Sequence, residues 1–335
     1  MHCASLPTTM PAIAIAAPGP AEVLTPVARA VPQPAEDEVL IEVAAAGVNR
    51  PDVLQRQGKY PPPPGASDLP GLEVAGTVVA LGAGVSRWRL GDRVCALLAG
   101  GGYAAYATAP EGQCMPVPQG LDLVAAAALP ETVLTVWHNV WQRAALAPGE
   151  SLLVHGGASG IGVAALQIGR ALGHRVFATA GTPAKCAACE ALGAERAIDY
   201  RTEDFAAVVR ELTRGRGVDV VLDMVAGDYL ARDLACLAPD GRIAVIAALG
   251  GSHANLPTGL LLQKRAALLA STLRNRPVAW KSALCREVEA RVWPLVEAGA
   301  VRAVVDRVFP LAEAAAAHAW LESGAHVGKV MLTLR

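Results

Sequence analysis

The chain has 335 residues, 53% hydrophobic and 18% charged, with 29 lysines and arginines against 30 acidic residues and a formal net charge of −1. This predicts a folded protein with room for two domains, and the balanced, scattered charge gives no electrostatic basis for binding nucleic acid or an anionic membrane. No apolar run reaches the roughly 18 to 20 residues that span a bilayer, because the longest, 94–110, is broken by Gly100, Gly101 and Gly102.

The start, with His2, Cys3, Pro7 and Thr8, has neither the basic head nor the continuous apolar core of a secretion signal, so a cytoplasmic location is expected. Seven irregularly spaced cysteines do not make a disulfide framework. Residues 12–15 and 38–46 read as strands, the second alternating Val39, Ile41 and Val43 with neighbours of mixed polarity. Pro51 then fits the first turn of a short helix running to Gln57, with Asn49 and Asp52 at the junction. Four prolines, Pro61 to Pro64, impose a loop. Strands are predicted at 72–81, 93–97 and 103–109, separated by glycine turns, which suggests a small barrel. Helices at 123–129 and 131–145 lead out of it.

At 151–162 the sequence Ser-Leu-Leu-Val-His-Gly-Gly-Ala-Ser-Gly-Ile-Gly reads as a buried strand feeding a glycine turn and then a helix over 160–172, stopped by Gly173. Such a turn suits a pyrophosphate, which must approach the backbone closely and is favoured by free N–H groups at a helix N-terminus. Beyond it, strands at 175–180, 197–200, 218–223, 242–247 and 266–271 alternate with helical runs, the pattern of a doubly wound parallel sheet. The strand at 175–180 ends at Gly181, where an NAD-preferring fold places an acid. Thr182 and Lys185 follow, with no carboxylate before Glu190, so NADPH is favoured over NADH. Cys186 and Cys189 form a C-x-x-C pair with no second pair to complete a zinc site. His155 reads as a buried strand-end imidazole with no second ligand near it. A helix at 277–299 and strands at 304–308 and 327–334 close the chain and are expected to rejoin the first domain.

The turn Gly156-x-x-x-Gly160-x-Gly162 also fits short-chain dehydrogenases, but no tyrosine here has the lysine four positions later that their chemistry needs. Instead, Gly47-Val48-Asn49-Arg50-Pro51-Asp52, then the run from Gln55 through Tyr60 to Ser67, then Gly71-Leu72-Glu73-Val74-Ala75-Gly76, together with Gly-Gly-Ala-Ser-Gly-Ile-Gly, resemble the medium-chain dehydrogenase/reductase superfamily along nearly the whole chain. The resemblance is strongest to its zinc-free quinone oxidoreductases, the ζ-crystallin-like and tumour-suppressor-inducible type.

That resemblance implies an α/β protein with a GroES-like β-barrel catalytic domain, residues 1–134 and 272–335, and a doubly wound Rossmann cofactor domain, residues 135–271. It implies NADPH as cofactor and hydride transfer to a quinone in an apolar cleft between the domains. Asn49, Asp52 and Tyr60 would line the cleft, with Tyr60 also against the cofactor. Gly157, Ser159, Gly160 and Ile161 would meet the pyrophosphate, and Gly181, Thr182, Lys185 and Tyr200 the 2′-phosphate. Thr135 would bond the carboxamide, Leu249 would lie near the nicotinamide ribose, and Leu273 and Arg274 would close the cleft. For Asn49 and Asp52 a helix cap and a structural hydrogen bond are equally open. Zinc enzymes of the superfamily carry a cysteine near Asn49 and a histidine at Leu72; this chain has neither, and no metal is expected. Some relatives carry an arginine at Gly324 and an asparagine near His326, contacts this chain lacks. Two alternatives stand beside quinone reduction: a zinc-free enoyl-thioester or alkenal reductase with Tyr60 as proton donor, and a non-catalytic NADPH-binding sensor. A homodimer formed through 250–262 and the strand after it is expected by analogy.

Overall fold

The computed structural model describes residues 6–334, so His2 and Cys3, named in the expectation of a cytoplasmic location, lie outside the described residues. The chain folds as two compact units. Of the described residues, one unit comprises 6–131, Arg274–Ala290 and 303–334; the other comprises Thr132–Leu273 and Arg291–Arg302.

The first unit is mainly β. β1 (Thr9–Ile15) and β2 (Leu24–Ala30) form an antiparallel ribbon. β3 (Glu38–Val48) pairs antiparallel with both β4 (Glu73–Leu81) and β6 (Tyr106–Pro110), and between β3 and β4 lies the short helix α1 (Arg50–Arg56). β5 (Arg93–Leu97) and β7 (Cys114–Pro116) extend the sheet beyond β4, and α2 (Leu123–Ala127) follows. Val39, Ile41 and Val43 turn into one core with Val74, Val78 and Val94, as a period-two strand requires.

In the second unit α3 (Pro130–Val136) runs on into a π-helical turn, Trp137–Arg143. β8 (Ser151–Val154), α4 (Gly160–Ala171), β9 (Arg175–Ala180), α5 (Pro183–Ala191), β10 (Arg196–Asp199), α6 (Phe205–Leu212), β11 (Val218–Asp223), α7 (Tyr229–Cys236), β12 (Leu237–Val245), α8 (Thr258–Lys264) and β13 (Ala267–Ala270) complete it. The strands are parallel in the order β10-β9-β8-β11-β12-β13. This is the doubly wound arrangement in which the strand order reverses beside the first strand, here β8.

The chain then gives α9 (Val278–Arg291), α10 (Trp293–Glu297), β14 (Val305–Pro310), α11 (Ala314–Ser323) and β15 (Lys329–Thr333). β15 lies antiparallel to β3, Val330 facing Val48. The predicted single helix at 277–299 is divided at Val292, because Pro294 cannot supply an interior N–H and instead sits in the first turn of α10. The predicted strand at 103–109 starts only at Tyr106, since Tyr103 and Ala104 turn aside to pair with β1. β2, β7 and α11 were not anticipated; four consecutive alanines give α11 little apolar contrast to read. Among the described residues no helix is long and apolar enough to cross a membrane.

Candidate functional site

β8 is buried along its whole length, and after it the chain turns through Gly156 at φ +63°. Close packing dictates the other glycines. A Cβ on Gly162 would lie 2.4 Å from the carbonyl oxygens of Gly156 and Gly157, and one on Gly157 2.7 Å from the Cβ of Ala178. Ser159 caps α4, its Oγ accepting the Gly162 N–H at 3.0 Å. The N–H groups of Gly160 and Ile161 find no acceptor among the described residues. Two free donors at the positive end of a twelve-residue helix fit a pyrophosphate without rearrangement.

A second group forms where β9 and β10 end side by side, Ala180 in register with Asp199. The next residues are Gly181 and Tyr200, and a Cβ on Gly181 would come within 2.6 Å of the Tyr200 hydroxyl. Thr182 caps α5, accepting the Lys185 N–H at 3.3 Å. A half-exposed phenol, a hydroxyl and a lysine thus share one sheet corner. Elsewhere in this unit the Thr135 carbonyl accepts from Asn139 Nδ2 at 2.9 Å, and Asn139 Oδ1 accepts from Ser271 Oγ at 2.7 Å. Asn139 therefore holds the end of α3 to the segment that leads to Leu273. Leu249 is 53% exposed and donates its N–H to the Met224 carbonyl at 3.2 Å.

His155 is buried as expected, but the expectation that no ligand-type group is near it is corrected. Its Nε2 lies 2.7 Å from Asp233 Oδ1 and its Nδ1 2.9 Å from Thr179 Oγ1, and Asp223 completes a buried trio. These partners stand 78 and 24 residues away in sequence and meet only because β8, β9, β11 and α7 converge. Burial, with the like charge of Asp233, pushes Asp223 above the usual carboxylate range. Asp223 is held by the N–H groups of Val225 and Ala226.

In the first unit Asn49 and Asp52 form a capping box on α1. Asp52 Oδ2 accepts the Asn49 N–H at 2.8 Å and Oδ1 the Gly71 N–H at 2.9 Å. Asn49 Nδ2 donates to Glu73 Oε1 at 2.9 Å, and Lys329 Nζ reaches Asn49 Oδ1 at 2.5 Å and Glu73 Oε1 at 2.6 Å. Glu73 Oε2 accepts the Glu131 N–H at 2.8 Å. All four side chains are buried. Gly47 is a glycine because a Cβ there would lie 2.1 Å from Glu73 Oε1.

Behind Asp52 runs a chain of buried groups. Burial, with the nearby charge of Arg56, holds the His318 imidazole down to about 3, so it is neutral. Arg56 donates to His318 Nδ1 at 3.3 Å, which leaves the proton on Nε2, 2.9 Å from the Tyr103 hydroxyl. Tyr103 in turn donates to Asp52 Oδ2 at 3.4 Å. Burial also pushes Asp52 up to about 6, against the N–H bonds that favour its anion.

Arg274 is buried and its guanidinium is taken by the protein: Nε donates to the Ala99 carbonyl at 2.8 Å, one terminal nitrogen to the Tyr60 carbonyl at 3.2 Å, the other to Gln55 Oε1 at 2.7 Å. Its charge also sits 5.4 Å from the centre of the Tyr60 ring. The structure thus joins Tyr60 and Arg274, and separately Asn49 and Asp52. The Cys186 and Cys189 side chains are buried on α5, and burial pushes the Cys189 thiol up to about 12. All six described cysteines are free thiols.

Glu73, Lys329, Tyr103, His318 and Asn139 were missed in the sequence. The available signal was a charge inside an otherwise apolar strand, visible at Glu73 and at Lys329 but carrying no hint of its partner.

The family description for the alcohol dehydrogenase GroES-like domain matches residues 35–119, and that for zinc-binding dehydrogenases matches residues 192–332. The chain is 33% identical over 311 residues to the quinone oxidoreductase of Lama guanicoe, covering 91% of this chain and 92% of that one. It is 32% identical over 302 residues to a phenolphthiocerol/phthiocerol polyketide synthase of Mycobacterium tuberculosis, a match that covers 90% of this chain but only 14% of the synthase. The chain therefore spans about a seventh of that relative's length. Among solved structures, Escherichia coli quinone oxidoreductase complexed with NADPH superposes with a TM-score of 0.86 at 31% identity, over 97% of this chain and 99% of that one.

Proposed function

Because this chain belongs to the medium-chain dehydrogenase/reductase superfamily, we propose that it is an NADPH-dependent quinone oxidoreductase that works without a metal ion. The corner where β9 and β10 end carries the cofactor choice. Lys185, Thr182 and Tyr200 offer a cation and two hydroxyls to a 2′-phosphate, and Gly181 removes the carboxylate that would repel it. Ser159, Gly160 and Ile161 receive the pyrophosphate at the α4 N-terminus, and Gly157 lets it approach. Thr135 meets the carboxamide and Leu249 the ribose beside it.

When bound, NADPH supplies the hydride. With one proton from solvent it converts the quinone to an aromatic hydroquinone, so the protein's chief task is to hold donor and acceptor within about 3 to 3.5 Å. No Lewis acid is required, and the donor set around Asn49 does not suit one: the carboxylate of Glu73 is already neutralised by Lys329, and Leu72 offers no ligand. Burial pushes the Tyr60 phenol above its ordinary value, so it keeps its proton at neutral pH and serves the acceptor oxygen as a hydrogen-bond donor. Asn49 and Asp52 transfer no proton, since each is fully engaged in the capping box and its neighbours. Arg274 positions the Tyr60 segment rather than the cofactor. β13 ends its sheet with Leu268 exposed, and pairing of two such edges would give the homodimer, which light scattering would detect.

The test is the initial rate of NADPH consumption with 9,10-phenanthrenequinone and with crotonyl-coenzyme A, a chelator present throughout. Quinone-dependent oxidation that resists chelation and is slower with NADH supports this reading. A faster thioester rate would make the chain an enoyl reductase, and tight NADPH binding without turnover would make it a sensor.

A further inference from the structure

The first unit contains a cavity of about 640 Å³ that the proposed reaction does not use. Lys281, on α9, and Gln113, just before β7, both line it and are only 4% and 2% exposed. Cys285, one helical turn beyond Lys281, has its sulfur 3.9 Å from the Gln113 carbonyl, so the two polar side chains share one wall.

Neither is satisfied by the protein. Lys281 Nζ makes a single hydrogen bond, to the Arg274 carbonyl at 3.3 Å, and among the described residues no carboxylate lies within ion-pair distance. Of the two lining carboxylates, Asp68 is paired with Arg29 at 3.0 Å and Glu38 accepts the Ala35 N–H at 3.1 Å. Burial, with the nearby charge of Arg274, holds the Lys281 ammonium below its ordinary value, and no carboxylate offsets it. Gln113 Oε1 accepts no hydrogen bond at all. A buried cation with one long bond and a buried acceptor with none are both costly, and native structures seldom leave such groups unmatched. Water could satisfy the amide, but it brings no negative charge. Met10, Leu69, Leu98, Pro277 and Val278 supply apolar wall beside polar groups such as Ser67, Thr108, Arg274 and Asn275, and the volume falls in the range of small-molecule sites.

We propose that this cavity binds a small organic monocarboxylate with an adjacent hydroxyl on an apolar body, the carboxylate pairing with Lys281 and the hydroxyl donating to Gln113 Oε1. A phosphate fits less well, since its oxygens call for several converging donors, and besides the Lys281 ammonium the other buried cation of the lining, Arg274, already donates to three protein oxygens. The site lies within one unit and needs neither NADPH nor turnover, so it stands or falls apart from the proposed reaction.

Salicylate is the probe, measured by isothermal titration calorimetry on the full chain without cofactor, beside salicylamide, benzoate and inorganic phosphate. Salicylate is expected to bind one to one, salicylamide and phosphate at least about tenfold more weakly, the loss that follows from removing a charge-assisted bond. Lys281→Met should weaken salicylate at least tenfold while melting no lower than the parent, because it removes an unpaired buried charge. Gln113→Leu should abolish the preference for salicylate over benzoate, and it carries the test should Lys281→Met fail to fold. Equal binding of salicylate and salicylamide, unchanged salicylate binding by Lys281→Met, or no heat with salicylate at millimolar concentration would each overturn the proposal.

Discussion

Lys329→Met tests whether the buried polar cluster of the first unit is held by charge. The ammonium donates to the Val48 carbonyl at 3.2 Å, to Asn49 Oδ1 at 2.5 Å and is 2.6 Å from Glu73 Oε1. Methionine follows the same aliphatic path but removes every donor. Glu73, whose side chain is 0% exposed, would keep only the Asn49 amide and the Glu131 N–H. A buried anion stripped of its counter-charge costs about 3–5 kcal/mol, a figure that includes the orphaned Asn49 oxygen. With m near 3 kcal/mol/M, the urea midpoint should fall by about 1 M or more, followed by circular dichroism at pH 7.5. Adding Glu73→Gln removes the stranded charge and should recover about 2 kcal/mol, so the double variant is more stable than the sum of the singles predicts. A Lys329→Met loss under about 1 kcal/mol would rank this pair with exposed ion pairs and refute the reasoning.

Three further outcomes follow from the same geometry. Lys185→Ala should cost about 1.5–3 kcal/mol of NADPH affinity, the range of a charged hydrogen bond, and leave NADH unchanged; fluorescence titration that shows equal weakening of both would remove Lys185 from the 2′-phosphate. Burial pushes Asp52 up from the unfolded value of 3.8 to about 6, so the fold favours its protonated form. Its contribution is complete below pH 3.8 and is lost as pH rises through 6. Relative to the parent, Asp52→Asn should therefore gain about 3 kcal/mol between pH 3.5 and pH 7.5, and parallel stability curves would contradict this. His155→Leu strands Asp233, whose Oδ2 already lacks a partner, and should cost about 3 kcal/mol or more. Because Thr179 Oγ1, the other partner of His155, accepts the Gly156 N–H at 3.4 Å, NADPH binding should weaken as well. An unchanged melting temperature would show that the trio is not coupled.

The doubly wound unit was legible because its central strands carry short apolar runs, as at Leu152–Val154 and Val220–Leu222. The glycine turn could be read as a tight strand-to-helix junction, since the side chains missing at Gly157 and Gly162 leave a pattern in the sequence itself. Local signals failed where the partner is remote. Tyr103 to Ala105 runs without a break into the strand that follows, and only the presence of β1 draws these residues away.

Asn49 and Asp52 show the limit most clearly. Their spacing reveals a capping box, which is local, but not which role their side chains fulfil. That depends on Lys329, 280 residues from Asn49, and on Tyr103 and His318, which are 215 residues apart. β15 brings Lys329 there by pairing with β3, and α11 brings His318. Asp52 is fully buried and accepts from two backbone N–H groups and a phenol, so its chemistry is to fix the turn after β3. The same reasoning separates Tyr60 from Arg274. Arg274 is consumed by three carbonyl-type oxygens and acts as a clamp, whereas Tyr60 is pinned through its backbone carbonyl, which leaves its phenol for the role proposed above.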